Sequence, residues 1–164
     1  MALSKVNFNS MNVTPAASKA IKFNSSNNGL ETGDIGGSLV LISEQTASSS
    51  STIDFTSGID STYKEYIFKF INIHPATDGA EFTFQSDTGT NTNYNQTITS
   101  TMFTANQKED ASETGLSYFS AFDQAQGTSF QNIQTNVSAD NDNGANGTLH
   151  LFEPSSSTFV KHFI

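Results

Sequence analysis

Short apolar runs separated by long polar intervals set the pattern of this chain. The strongest run is Tyr63 to Ile73, Tyr-Lys-Glu-Tyr-Ile-Phe-Lys-Phe-Ile-Asn-Ile. At a period of two, Tyr66, Phe68 and Phe70 share one face; Ile67, Lys69, Ile71 and Ile73 share the other. Aromatic and β-branched residues at this density predict a long central strand, covered on both sides because both faces are mostly apolar. His74-Pro75 ends it, since proline cannot donate to a ladder.

The rest of the chain reads as further short strands. Leu39-Val-Leu-Ile42 predicts a buried strand. After the polar connection Ser48 to Thr52, Ile53 and Phe55 alternate onto one face. Phe82 and Phe84 mark a strand after the turn Ala76-Thr-Asp-Gly79, and Asp87-Thr-Gly89 signals another turn. Tyr94 to Phe103 alternates loosely. Thr104 to Gly115, with Lys108-Glu-Asp110, reads as a solvated loop before a strand at Leu116 to Phe122. Phe130, Ile133 and Val137 have helix-like spacing, which leaves that segment ambiguous. Ala139-Asp-Asn-Asp-Asn-Gly144 is a loop, Leu149 and Leu151 alternate in a strand, Pro154 to Ser157 is a turn, and Phe159 to Ile164 is a last strand.

The N-terminal zone differs. Up to Gly37 the apolar residues are thin (Val6, Phe8, Val13, Ile21, Phe23, Leu30 and Ile35), and Gly29, Gly33, Gly36 and Gly37 interrupt regular structure. Pro15 to Phe23 reads as a short helix or a strand. Two regions are therefore expected: an extended N-terminal arm over 1–36 that gains order from neighbours, and a β domain over 37–164. Many short strands between polar turns predict an all-β fold, an antiparallel β-sandwich of jelly-roll type. The apolar stretch Phe159-Val-Lys-His-Phe-Ile164 needs a pairing partner. A strand of another subunit, or further chain beyond Ile164, is expected to supply it.

Composition narrows the function. Charged residues are 14% of the 164, against an ordinary ~25%, so Ser, Thr, Asn and Gly must form most of the surface. The apolar runs argue for a packed core rather than disorder. With 14 Phe and no Trp, the large apolar side chains are mostly Phe. The net charge is −9 and every basic residue is Lys, which disfavours nucleic acid and anionic membrane surfaces. There is no Cys, which removes disulfides, thiolate metal sites and Cys nucleophiles. No apolar run has the length of a signal peptide or a membrane helix, so synthesis in a cytoplasm without membrane insertion is expected.

The candidate chemistry is sparse. His150 and His162 fall on neighbouring predicted strands and could face each other; His74 stands at a strand end. Packed or surface histidines are the simpler reading, because neither His-x-His nor His-Glu-x-x-His occurs. Asp140-Asn-Asp-Asn-Gly144 has a calcium-loop flavour. Its Gly comes one position early and no Glu follows at the twelfth place, so an Asx-rich turn is expected. Lys108-Glu-Asp110 with Glu113 brings carboxylates together in sequence, as glycosidases require. Nothing apolar adjoins them to raise a pKa, so they read as a solvated charge run. No Gly-x-Ser-x-Gly elbow or P-loop is present. The sequence thus assigns no catalytic, cofactor-binding or metal-binding residue, and no enzyme activity is expected.

Three stretches carry a family resemblance. They are Gly37-Ser-Leu-Val-Leu-Ile-Ser-Glu-Gln-Thr-Ala-Ser-Ser-Ser-Ser-Thr-Ile-Asp-Phe55, Tyr63-Lys-Glu-Tyr-Ile-Phe-Lys-Phe-Ile-Asn-Ile-His-Pro75 and Gly147-Thr-Leu-His-Leu-Phe-Glu-Pro154. Together they resemble virion proteins of marine bacteriophages, including cyanophage-type particles, commonly labelled tail fibre or structural proteins. The resemblance implies a β domain on the particle surface and no catalysis. In such proteins the chain usually continues past the Lys161-His-Phe-Ile164 region, and no functional residue carries over by position. The expectation is a homotrimeric tail fibre or receptor-binding component, attached through its N-terminal arm to a tail adaptor and meeting a host surface glycan. A capsid decoration protein is the alternative. A glycan-binding module or a depolymerase stands further off.

Overall fold

A computed structural model describes residues 13–14, 16–17, 19–34, 39–89 and 92–164. Val6, Phe8, Pro15, Ile35, Gly36 and Gly37, which figure in the predicted arm and its breaks, lie outside the described residues. The chain divides into two compact units, Met1–Glu44 and Gln45–Ile164. All regular structure described is β apart from one short 3-10 turn, Ser120–Phe122. Every strand pair is antiparallel, and the sheets are open.

The first unit contains a hairpin, β1 (Lys19–Phe23) with β2 (Leu30–Asp34). Its connection closes through an Asn24–Asn28 side-chain bond at 2.9 Å and the Gly29 carbonyl accepting from the Asn24 amide at 3.0 Å. The helix-or-strand choice for Pro15 to Phe23 thus falls to strand over its second half. Leu39 to Ile42 corrects the prediction of a buried strand. These residues form no strand, and Leu41 is 79% exposed. A four-residue apolar run carries no alternation, so only a pairing partner makes it a strand, and no described strand pairs with it.

The second unit is built on β3 (Glu65–Ile73), the edge of a three-stranded sheet with β10 (Ala145–Phe152) at its centre and β11 (His162–Phe163) beyond. Tyr66, Phe68 and Phe70 stand opposite Leu151, Leu149 and Gly147. Tyr66 and Leu149 are buried on that shared face. The other face is open, with Ile71 76% exposed, which corrects the expectation of cover on both sides. The alternation also breaks. The register passes from Phe70↔Gly147 to Ile73↔Ala145, three steps against two, and Asn72 has φ +53. This is a β-bulge. The Asn72 amide donates to Asn146 Oδ1 at 2.8 Å, and Ile73 turns back to meet the buried Ala145.

The remaining strands pair in twos: β4 (Ala80–Phe84) with β9 (Gln131–Val137), β5 (Ile98–Ser100) with β8 (Gln124–Gly127), and β6 (Phe103–Gln107) with β7 (Thr114–Tyr118). The ambiguous Phe130 to Val137 segment is strand over Gln131–Val137, with Phe130 exposed just before it. The four-residue step from Ile133 to Val137 spans the left-handed Asn136, φ +55, where the register shifts against β4. A bulge interrupts the period of two. Thr104 to Gly115 is a hairpin rather than a loop; only its charged tip is a turn. Ile53 and Phe55 lie in irregular chain, where Phe55 packs edge to face on Phe68 at 5.7 Å. The last strand is shorter than predicted. Phe159 and Val160 are exposed, and His162–Phe163 pairs with β10, extended by reciprocal His150–Ile164 backbone bonds of 2.7 and 3.0 Å.

Two ring contacts join the three-stranded sheet to the β4–β9 pair. Phe70 meets Phe82 at 4.8 Å and Phe84 meets Phe163 at 4.9 Å, both edge to face. The core between them is thin. The buried apolar residues described in this unit are Tyr66, Ile98, Val137, Ala145 and Leu149, and no described Phe joins them.

Candidate functional site

The histidines do not converge. The His150 imidazole, on β10, pairs through Nδ1 with Glu65 Oε1 of β3 at 2.6 Å and stacks near Phe152. His162 stands opposite Phe152 in the ladder, so His150 and His162 are not paired across the strands. His74 Nε2 meets the Asp140 carbonyl at 2.8 Å, tying the end of β3 to the Asp/Asn loop. That loop closes on itself: Ser138 Oγ donates to Asp140 Oδ2 at 3.0 Å, and the Asn143 amide to the Asp140 carbonyl at 3.0 Å. It is an Asx-rich turn. Among the described residues no group of three or more His, Asp or Glu is placed to hold a metal ion.

The carboxylates act as turn fasteners. Thr62 hydrogen bonds hold the Asp60 carboxyl below its ordinary range, with the Tyr66 hydroxyl adding to the effect. Asp87 is lowered first by the Tyr94 amide at 3.0 Å and further by Thr88 and Gln96. Ser112 lowers Asp110, and the Lys108 ammonium at 2.7 Å lowers Glu113. These last two close the tip of the β6–β7 hairpin, where Lys108, Glu109 and Asp110 line an open depression. A general acid needs its pKa raised; each carboxyl here is pushed the other way, towards permanent ionisation.

A second shallow recess lies where the two sheets meet, lined by Phe70, Phe82, Ile133, Gln134, Ala145, Asn146 and Gly147. It is a packing gap too small for a ligand. The buried polar centre is Gln131 of β9, 4% exposed. Its amide takes the Ser100 hydroxyl and donates to the Phe122 and Asn132 carbonyls at 3.1 Å each, tying β5, β9 and the 3-10 turn together.

The feature that stands out is apolar surface. Ile71, Phe103, Leu116, Tyr118, Phe159, Val160 and Ile164 are all exposed although they sit on or beside strands. Sequence pattern placed these residues on strands and expected cover for Ile71, which is exposed. The Glu65–His150 pair and the Tyr118–Asp123 bond escaped it, because each joins residues whose proximity depends on the fold.

No protein-family model matches the chain, and neither the curated proteins nor the solved structures offer a match. No described helix is long and apolar enough to cross a membrane, which does not bear on a β-barrel.

Proposed function

We propose that this chain is a non-catalytic structural component of a bacteriophage particle, a tail fibre or receptor-binding part held through its N-terminal segment. Residues 37–164 would form the particle-surface domain, a β-sandwich of jelly-roll type. The Phe70–Phe82 and Phe84–Phe163 contacts, which face one sheet onto another, support the sandwich. The observation that carries the assembly reading is the mismatch between strand content and core: apolar strand residues such as Ile71 and Leu116 remain exposed. Large apolar side chains left open on strands suit surfaces that assembly covers. A homo-oligomer, trimeric in the fibre form, with a tail adaptor at one end and a host glycan as the contacted surface, would cover them. Carboxylates committed to turns support the absence of catalysis. The resemblance of Gly37–Phe55, Tyr63–Pro75 and Gly147–Pro154 to marine phage virion proteins gives the viral setting.

Capsid decoration is the second reading, favoured by the separate compact unit Met1–Glu44, which would lie along capsid subunits. Quantitative mass spectrometry on purified particles separates the two. A few copies per particle support the fibre, hundreds support decoration, and absence from the particle overturns both.

A further inference from the structure

The sequence contains three Asn-Gly pairs: Asn28-Gly29, Asn143-Gly144 and Asn146-Gly147. Such pairs share one latent reaction. The glycine amide nitrogen, with no side chain beside it to block the approach, can attack the side-chain carbonyl carbon of the asparagine. The fold treats the three pairs differently. In the β1–β2 hairpin, Asn28 Oδ1 accepts from Asn24 Nδ2 at 2.9 Å, and the Asn28 backbone amide donates to Asn24 Oδ1 at 3.2 Å. On β10 the Asn146 side chain is held at both ends. Its Oδ1 accepts from the Asn72 amide at 2.8 Å and its Nδ2 donates to the Gly144 carbonyl at 3.3 Å.

Asn143, in the turn between β9 and β10, has neither kind of tether. Its Oδ1 accepts at 2.7 Å from the Gly144 amide, whose nitrogen is the attacking atom. That contact brings Cγ, one covalent bond from Oδ1, to the roughly 3–3.5 Å separation of a near-attack pair. The Asn143 backbone amide is fixed on the Asp140 carbonyl at 3.0 Å, so the turn holds this arrangement. The side chain is exposed to water, and among the described residues no partner holds its Nδ2.

We propose that Asn143 is a site of spontaneous, enzyme-free deamidation, faster than at the other two Asn-Gly pairs. Hydroxide removes the Gly144 amide proton, and the nitrogen forms a bond to Asn143 Cγ. The Cγ–Nδ2 bond breaks, and the departing nitrogen takes its proton from water and leaves as ammonia. One water then opens the cyclic imide. Opening at the side-chain carbonyl leaves aspartate; opening at the main-chain carbonyl leaves isoaspartate, whose backbone runs through Cγ. The net change is one water in and one ammonia out. Gly144 is held in place by the fold, because a Cβ there would sit 2.5 Å from Asn72 Oδ1. The β3–β10 bulge thus keeps glycine where it makes the reaction fastest. The product adds a negative charge beside Asp140 and Asp142 and, as isoaspartate, an extra main-chain atom at the entry to β10. The reaction is independent of the fibre and capsid readings.

The test uses the unaltered chain, so no variant has to fold. The folded protein is aged in mildly alkaline buffer made with heavy-oxygen water, and peptide fragmentation resolves Asn143 from Asn146. Asn143 is expected to convert on the order of tenfold faster than Asn146 or Asn28. Each event is expected to take up one heavy oxygen, at a rate that rises with pH. In concentrated urea the three rates are expected to converge, since the turn no longer places the Gly144 nitrogen. A folded-state rate at Asn143 no higher than at Asn146 overturns the proposal. So does a preference that survives unchanged in urea, which would put its cause in the local sequence.

Discussion

The Phe70 and Phe82 rings meet edge to face at 4.8 Å although they belong to different sheets, β3 in the three-stranded sheet and β4 beside β9. With so few buried residues described, this contact is expected to matter to the second unit. Phe82→Ala is expected to cost about 2 kcal/mol, less than the 3–5 of a fully buried ring because Phe82 is only half-buried. Urea unfolding measures it. A double-mutant cycle with Phe70→Ala is expected to return a coupling of about 1 kcal/mol; a coupling near zero would mean that the sheets are held together elsewhere.

Gln131 makes a different kind of bridge. Gln131→Leu keeps the volume but removes the donor to the Phe122 carbonyl and the acceptor of the Ser100 hydroxyl proton, while the Ser100 oxygen still accepts from the Gln124 amide. Burying an unpaired polar group costs about 2 kcal/mol. Thermal melts of the variant are expected to shift downward; an unchanged melting temperature would mean that these bonds add nothing to the fold.

The hairpin is expected to weaken at both ends of the pH scale. Asp110 and Glu113 sit below their ordinary values of 3.8 and 4.5. Their contribution is therefore complete above those values and lost as pH falls through the lowered ones. Tyr118 is raised above 10.0, first by its bond to Asp123. Its contribution is complete below 10.0 and lost as pH rises through the raised value. The nuclear Overhauser contact between the Phe103 and Tyr118 rings reports both limits; a contact that persists unchanged below pH 3 would remove the carboxylates from the account.

Leu41→Lys tests the unpaired apolar run. As an exposed residue in irregular chain, Leu41 is expected to tolerate lysine within about 0.5 kcal/mol, while light scattering at high concentration falls. A loss of several degrees in melting temperature would instead indicate a strand.

Legibility followed local physics. The Tyr66-Phe68-Phe70 face, the Gly79 turn and the Asp140 loop were readable because alternation and turn chemistry are written in neighbouring residues. Leu39 to Ile42 was misread because four apolar residues specify hydrophobicity but not who covers it. Thr104 to Gly115 was misread because a charged tip masked two polar strands, Phe103 to Gln107 and Thr114 to Tyr118. The step from Ile133 to Val137 was ambiguous because the left-handed Asn136 lies within it. The carboxylates and histidines find mixed partners that no residue spacing reveals: Asp110 takes the Ser112 amide, His74 the Asp140 carbonyl, Glu113 the Lys108 ammonium and His150 the Glu65 carboxylate.

The bulge at Asn72 has a mechanical consequence. A uniform ladder can slide by two residues and find every face matched again. Here the odd step at Asn72 must coincide with the Asn146 amide and with Gly144, where a methyl group would sit 2.5 Å from Asn72 Oδ1. Those three residues meet in a single alignment of β3 on β10. The kink is a latch: it fixes the sliding coordinate of the longest strand pair, and a force pulling along that pair must break the latch before the strands can shear.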